Sequence, residues 1–235
     1  MVFNLNQIEE IKQNLLLKGY VKLAPLADTN TQEALSKNII AEMNGAVFKQ
    51  NGKCHIDFLD KLKLQEKLAK PLFELAKNEF NFSGDLSDQY HIARSVDPGN
   101  SREQFRAHFD SHLFTLVIPM QIPEANFFGE ECGELIFRPQ ARRHPKSEIE
   151  NVFGKAWFKG KFSKQTCLQR IDDGFFEIAD FSDYSPLLFL GRTTLHTNQM
   201  VATTANSKRL TLLAHYFDPS PPIGVGAALR YLRGR

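Results

Sequence analysis

Apolar residues at helical spacing open the chain and predict a helix. Between Ile8 and Leu16 they recur every three or four positions, and Gly19 follows them as a stop signal. The next residues, 20–24 (YVKLA), are typical of a short strand. The chain is therefore predicted to begin with a helix that leads into a strand.

Two further helical stretches are predicted before residue 85. Thr29 and Gln32 have the three-residue spacing of a capping box, which predicts that a second helix begins at Thr29. A third stretch runs from about Ile56 to Phe80, and we expect Pro71 to kink or split it, because proline cannot donate the helical hydrogen bond. Residues 1–84 are thus predicted to be mainly helical.

The pattern changes after residue 85, where short runs of Phe, Leu, Ile, Val and Thr are separated by turn residues. Such runs predict antiparallel strands that pair as a jelly roll. We therefore predict an α+β fold, mostly β, in which N-terminal helices pack against a double-stranded β-helix. One domain is expected, with its core over 85–218 and a tail over 219–235. The predicted strands are YHIARSV (90–96), FTLVIPMQI (114–122), ELIFRP (134–139), FFEIADF (175–181), PLLFLG (186–191) and RLTLLAHYF (209–217).

A basic segment interrupts the predicted strands. Residues 138–170 hold nine Lys or Arg and two Glu, a local charge of +7 in a chain of net charge +2, so the remainder is near −5. The segment 139–172 is too long for a hairpin and is interpreted as an insertion. Three roles stay open: a solvated loop, a lid that attracts an anionic small substrate through Arg142 and Arg143, and a nucleic-acid-binding element. The last is least favoured, because its few aromatic residues would serve an apolar lid equally.

Composition limits the class of protein. With 42% apolar and 24% charged residues among 235, the chain is typical of a globular protein, and no apolar run approaches the roughly 18 residues of a membrane helix. Cys54, Cys132 and Cys167 have no CxxC spacing, which argues against a disulfide framework or a zinc site. The first residues lack the pattern of a signal peptide, so we expect a cytoplasmic protein without membrane contacts.

Two His-x-Asp sequences are candidates for binding a metal. His55 and Asp57 fall in a helical stretch, where residues two apart point to nearly opposite sides. His108 and Asp110 fall where strands are predicted, and residues two apart on a strand project from the same face. His196, late in the β region, can supply a third ligand. Two His and one carboxylate form the facial triad of non-haem iron(II) oxygenases, which leaves positions open for a co-substrate and O₂.

Four segments, in order, resemble the iron(II)/2-oxoglutarate-dependent dioxygenase superfamily. The first resembles its iron-binding strand, the second its Gly-Gly-Glu-Leu strand with Cys replacing the first Gly, and the third its strand, turn and distal His. The fourth resembles the Arg-x-Ser/Thr pair that binds the far carboxylate of 2-oxoglutarate. The segments are HFDSHLFTLVIPMQ (108–121), CGELIFRP (132–139), SPLLFLGRTTLHTNQMV (185–201) and Arg209-Leu210-Thr211.

The resemblance implies an enzyme that uses iron(II), 2-oxoglutarate and O₂ to oxidise, most commonly to hydroxylate, an organic substrate, releasing succinate and CO₂. The positive charge of the insertion adds the expectation that this substrate is small and anionic. It implies iron binding by His108, Asp110 and His196. It also implies 2-oxoglutarate binding by Arg209 and Thr211, since a guanidinium pairs with a carboxylate through two hydrogen bonds. Candidate substrate contacts are Arg94, Gln104, His112, Arg142 and Arg143.

Two other functions stay open. One is an oxygenase that modifies nucleic acid or protein. The nucleobase demethylase branch commonly carries a second Arg shortly after the 2-oxoglutarate Arg, and residues 210–217 are LTLLAHYF, so a nucleic-acid partner is not favoured. The other is a jelly-roll protein that holds a metal without catalysis. Arg209 and Thr211 argue against it, because a structural metal site does not need a carboxylate-binding pair.

Overall fold

Two antiparallel sheets form the core of the computed structural model, which describes residues 5–100, 104–124, 130–162 and 164–220. The predicted tail from residue 221 onward lies outside the described residues. The helices are α1 Leu5–Lys18, α2 Thr29–Met43, α3 Lys53–Lys61, α4 Lys70–Phe80, α5 Glu148–Lys161 and α6 Lys164–Asp172, with a π-helical turn at Gln65–Ala69. The strands are β1 Tyr20–Lys22, β2 Phe48–Gln50, β3 Gln89–Val96, β4 Phe114–Gln121, β5 Leu135–Arg138, β6 Glu177–Ile178, β7 Leu187–Leu190, β8 Leu195–Asn198 and β9 Arg209–Tyr216.

The two sheets face each other as a jelly roll, which confirms the predicted fold class. The larger sheet has the strand order β1-β7-β4-β9-β3-β2, and the smaller has the order β6-β5-β8. Val117 and Phe189 of the larger sheet pack against Leu135 and Phe137 of the smaller sheet. The opposite face of the larger sheet packs on the N-terminal helices, in a separate cluster that includes Leu212.

Helix α2 is fixed on the sheet in a way that corrects the predicted capping box. The cap is Asp28, whose side chain accepts a hydrogen bond from the backbone N of Thr31 at 2.9 Å. Gln32 instead turns inward, and its Nε2 donates to the carbonyl oxygen of Pro119 at 2.5 Å. The side chain that the sequence assigns to the cap therefore anchors the helix to β4.

The third predicted helical stretch is divided at Lys63 and not at Pro71. Lys63 has a left-handed φ of 54°, which a continuous helix cannot accommodate. Pro71 lies directly after the π-helical turn Gln65–Ala69, in which the backbone N of Lys70 donates to the carbonyl oxygen of Gln65. The stretch therefore breaks at Lys63, a residue with no strong sequence signal, and changes from π- to α-helical geometry directly before Pro71.

The basic insertion is a pair of helices, α5 and α6, and not a solvated loop. Ser147 caps α5 by accepting a hydrogen bond from the backbone N of Glu150 at 3.2 Å. Phe158 of α5 and Cys167 of α6 pack in one cluster with Phe109 and with the outer face of the smaller sheet. The insertion is therefore attached to the core beside the His108–Asp110 segment. Within the described part of the chain, no helix is long and apolar enough to cross a membrane.

Candidate metal and co-substrate site

The structure brings the three predicted metal ligands together. His108 and His196 are antiparallel partners, joined by backbone hydrogen bonds of 3.0 and 3.1 Å, and their ring centroids are 4.4 Å apart. The Nε2 atom of each ring lies 3.7 Å from a carboxylate oxygen of Asp110. One ligand atom from each residue lies within 4.8 Å of the others, so the three side chains can coordinate one ion.

The two histidines offer the donor atoms that a transition metal needs. Nδ1 of His108 lies 2.8 Å from the carbonyl oxygen of Arg106, and Nδ1 of His196 lies 3.2 Å from that of Thr194. A carbonyl oxygen only accepts, so each Nδ1 carries the hydrogen and each Nε2 has a free lone pair. Desolvation, followed by the charge of His196, lowers the pKa of His108, although its side chain is 52% exposed.

The carboxylate of Asp110 is held by groups that the sequence analysis did not assign to the site. The hydroxyl of Thr115 donates to Oδ2 of Asp110 at 2.5 Å, and Nδ1 of His215 lies 3.7 Å from the same oxygen. Burial raises the pKa of Asp110, but three histidines and Thr115 outweigh it and hold that pKa below its usual range. Gly191 leaves the necessary room, because a Cβ there would lie 2.9 Å from both Asp110 Cβ and Thr115 Oγ1.

Arg209 and Thr211 lie on the same face of β9 as His215, farther along the strand. Arg209 is only 7% exposed. Burial, followed by the charge of Arg94, lowers its pKa to about 9, so it stays a cation at neutral pH. Its Cδ would lie 2.8 Å from a Cβ at Gly133, a residue with φ of 78°. The glycine of the CGELIFRP segment thus makes room for this guanidinium side chain.

Two predicted substrate contacts, Arg94 and His112, lie close to the candidate metal ligands. Arg94 on β3 lowers the pKa of both His108 and Arg209, so its charge is within electrostatic range of both. The ring of His112 stacks on His215 with centroids 5.1 Å apart. Burial, followed by the charge of His215, lowers the pKa of His112 to about 4. Both side chains are therefore near the candidate metal ligands.

Of the two arginines predicted to belong to a lid, Arg142 forms hydrogen bonds within the protein and Arg143 is exposed. Nε of Arg142 donates to the carbonyl oxygen of Arg192 at 2.7 Å, and its Nη2 donates to Oδ1 of Asn151 at 2.8 Å. The same guanidinium lies 4.0 Å from the ring centroid of Phe109. Arg142 thus holds the insertion against the core. Arg143 is exposed.

Lys155 of α5 reaches the segment that carries the candidate metal ligands, a contact that the sequence analysis missed. Its Nζ donates to Oγ of Ser111 at 2.8 Å, one residue from Asp110. Burial lowers the pKa of Lys155 to about 8, although the charge of Asp110 opposes this shift. In a segment with nine basic residues, no sequence signal distinguishes Lys155 from its neighbours.

Two buried carboxamides border the same region. Asn198 follows His196 by two residues on β8, is 9% exposed, and its Oδ1 has no hydrogen-bond partner within the described ranges. The Oε1 of Gln104, a predicted substrate contact, is likewise buried without such a partner there. The backbone N of Phe105 donates to the carbonyl oxygen of Asn198 at 2.8 Å. The two carboxamides therefore belong to neighbouring segments.

Comparisons with known proteins identify the fold. No protein-family model matches the sequence, and no curated protein matches it significantly. Among solved structures, a Pseudomonas putida prolyl-4-hydroxylase has a TM-score of 0.53 and 11% identity, covering 89% of this chain and 98% of that chain. The α-ketoglutarate-dependent epimerase SnoN from nogalamycin biosynthesis has a TM-score of 0.54 and 13% identity, covering 92% and 84%.

A third neighbour is a Trichoplax adhaerens prolyl hydroxylase in complex with a peptide fragment of hypoxia inducible factor. Its TM-score is 0.51 and its identity 12%, covering 91% of this chain and 90% of that chain. SnoN has also been solved with Fe³⁺, α-ketoglutarate and nogalamycin RO. The chain therefore has the double-stranded β-helix fold of iron- and 2-oxoglutarate-dependent oxygenases, as the sequence resemblance predicts. The neighbours include a small-molecule complex and a peptide complex, so the shared fold does not define a substrate.

Proposed function

We propose that this protein is a non-haem iron(II), 2-oxoglutarate-dependent oxygenase. One observation carries the proposal: a His, Asp and His set shares the interior of the jelly roll with a buried guanidinium on β9. The three ligand atoms lie within 4.8 Å of one another. Arg209 lies on the face of β9 that also carries His215, the neighbour of Asp110. A metal site with a purely structural role does not require a buried guanidinium such as that of Arg209.

The donor set fits iron(II), and His108, Asp110 and His196 would hold it. Bound iron would supply the activation of O₂ and the oxidation of substrate that accompanies conversion of 2-oxoglutarate to succinate and CO₂. The protein's own groups orient the ligands. Backbone carbonyls fix the Nδ1 hydrogens of both histidines, and Thr115 fixes the carboxylate.

Arg209 and Thr211 would bind the distal carboxylate of 2-oxoglutarate. A guanidinium pairs with a carboxylate through two parallel hydrogen bonds, and the hydroxyl of Thr211, buried on the same strand face, can add a third. The low exposure of Arg209 strengthens this pairing, because little water competes for the charge.

For the primary substrate we propose a small anionic molecule that is hydroxylated. Arg94 adds a positive charge within range of His108, and Lys155 adds another beside Ser111. Gln104 and His112 remain proposed contacts, whereas the hydrogen bonds of Arg142 point to a role in attaching the insertion. Cys54, Cys132 and Cys167 form no disulfide bond with one another, which supports our proposal of a reducing, cytoplasmic location.

A protein-modifying oxygenase is the second candidate, and one surface favours it. Ile149, Phe153 and Trp157 recur every four residues along α5 and are 67%, 72% and 65% exposed. Large apolar side chains in such a row commonly contact a polypeptide. A peptide substrate would then lie against α5 while its modified residue reaches the metal.

An anaerobic titration with iron(II), with and without 2-oxoglutarate, tests the proposal. We expect iron(II) to bind, 2-oxoglutarate to bind the iron-loaded protein, and succinate to be released in air. Succinate release should then be measured with pools of small anions and with peptides, which separates the two candidates. Iron binding without any 2-oxoglutarate binding would favour a non-catalytic metal protein and contradict the proposed function.

A further inference from the structure

Asn198 faces the space between the two sheets. It lies two residues after His196 on β8, so the two side chains project from the same face. On β5, Leu135 is the strand partner of Asn198, and Phe137 is the strand partner of His196. Both partners pack in the apolar cluster between the sheets. The carboxamide of Asn198 therefore points into the interior that also holds the candidate metal ligands.

Asn198 also lies on the path from the metal ligands to Arg209. Two residues beyond it, the carbonyl oxygen of Met200 accepts a hydrogen bond from the backbone N of Gly133 at 2.8 Å. A Cβ on Gly133 would lie 2.8 Å from Cδ of Arg209. The chain thus runs from a metal ligand, through Asn198, to the residues that border the buried guanidinium. Asn198 is thus a polar, interior-facing residue between a candidate metal ligand and the segment that borders Arg209.

The hydrogen bonds of the described residues do not use the oxygen of this carboxamide. The side chain is 9% exposed, and its Oδ1 has no hydrogen-bond partner within the described ranges. Burying an amide without hydrogen bonds opposes folding. The strand partner of Asn198 on β5 is Leu135, and a leucine side chain cannot satisfy an amide. A ligand that carries hydrogen-bonding atoms would explain why a polar group lies there.

We propose that Asn198 is a positioning residue for the co-substrate, and that its amide donates a hydrogen bond to the distal carboxylate of 2-oxoglutarate together with Arg209. This inference rests on the proposed function. At neutral pH 2-oxoglutarate presents only acceptors, so the Nδ2–H group is the half of the carboxamide that binds it. Rotating the carboxamide by 180° exchanges Nδ2 and Oδ1, and either position can therefore present the donor.

Replacing Asn198 by Leu, a side chain of similar size, tests this role. The affinity of the iron-loaded protein for 2-oxoglutarate, measured anaerobically by calorimetry, should fall about 10- to 100-fold, the usual effect of one lost hydrogen bond to a charged group. The affinity for oxalate, which chelates a metal but lacks the distal carboxylate, should not change. The ligand-free Asn198→Leu protein should melt at the same or a higher temperature than wild type, because an unsatisfied amide has been removed.

Two further variants keep the result interpretable. Thr197→Val alters the neighbouring buried residue, which points to the opposite face, and should change neither affinity. Asn198→Asp keeps the size of the side chain, and should weaken 2-oxoglutarate binding more than Asn198→Leu because two carboxylates repel. If wild type binds 2-oxoglutarate and both Asn198 variants bind it equally well, the inference is wrong and the proposed function stands. If wild type binds no 2-oxoglutarate, both fail.

Discussion

Thr115 donates a hydrogen bond to Asp110 and lies directly opposite His215 on the neighbouring strand. Its hydroxyl is also 3.1 Å from Nδ1 of His215. A residue of β4 thus joins the carboxylate ligand to β9, the strand that carries Arg209 at its other end. The proposed metal and co-substrate sites therefore share β9 as a common support.

Removing any one proposed metal ligand should abolish tight iron binding. We expect His108→Ala, Asp110→Ala or His196→Ala to lower iron(II) affinity more than 100-fold, since residues that only orient ligands are worth 10- to 100-fold. Anaerobic titration measures the effect. His55→Ala is the matched control, because His55 and Asp57 form the other His-x-Asp sequence but lie on helix α3. Equal losses in His55→Ala and His108→Ala would show that the wrong pair was chosen.

Arg209→Ala should weaken 2-oxoglutarate binding without affecting iron. Losing a buried, charge-assisted pair costs about 3–5 kcal/mol, or two to four decades in dissociation constant. Lys208→Ala is the control, since Nζ of Lys208 forms a surface ion pair with Asp97 at 2.8 Å and should have little effect. An unchanged 2-oxoglutarate requirement in Arg209→Ala would contradict the assignment.

Thr115→Val should reduce iron(II) affinity although Thr115 is not a ligand. The variant removes the hydroxyl that donates to Asp110, and such orienting groups are worth about 10- to 100-fold in metal affinity. Thr115→Ser restores a hydroxyl and should recover most of the affinity. Failure of the serine variant to recover it would mean that packing, and not the hydrogen bond, is responsible.

The buried His55 should make the metal-free protein less stable in mild acid. Burial, followed by the charge of His91, lowers the pKa of His55 to about 3, against about 6.5 in an unfolded chain. The unfolded state therefore binds the proton first, and stability falls as pH drops below about 6.5. From pH 7 to pH 5 this residue should remove about 2 kcal/mol.

Urea unfolding at both pH values measures that loss. His55→Phe retains an aromatic ring but cannot be protonated, so its loss of stability between pH 7 and pH 5 should be about 2 kcal/mol smaller than in wild type. The same pH dependence in both proteins would assign the acid sensitivity to other groups.

Substrate binding should be visible at Trp157, the one tryptophan in the chain. It is 65% exposed on α5, and closure of the insertion over the site would bury it and shift its emission to shorter wavelength. Lys155→Met should raise the substrate KM, because it removes the insertion's charge beside Ser111. Arg143→Gln, at an exposed position, should not. A fixed emission maximum in the presence of a turned-over substrate would argue against closure.

Periodicity in the sequence predicts most of the strands, because alternating burial on a sheet is a local property. The run 90–96 corresponds to β3, and 209–217 corresponds to β9. The strand β2 at Phe48–Gln50 was not predicted. It has three residues and pairs along one edge with β3, so its conformation depends on a distant neighbour more than on its own residues.

The candidate ligands were predictable and their supporting groups were not. His108 and Asp110 are two residues apart, a spacing that places both side chains on one face of an extended segment. Thr115 and His215, by contrast, are 100 residues apart in the sequence and come into contact only through the fold. Gly133 and Arg209 likewise come together through the fold. Single-sequence patterns describe one element at a time, and the contacts that orient the carboxylate join different elements.

The backbone pairing of His108 with His196 has a consequence for the lifetime of the protein. The segment before β4 is joined to the smaller sheet there by an isolated bridge, and a bound ion would tie the same two segments a second time. Binding to the folded state alone stabilises it by about 2.7 kcal/mol at a ligand concentration 100 times the dissociation constant. We therefore expect the iron-loaded protein to resist proteolysis longer than the metal-free protein does.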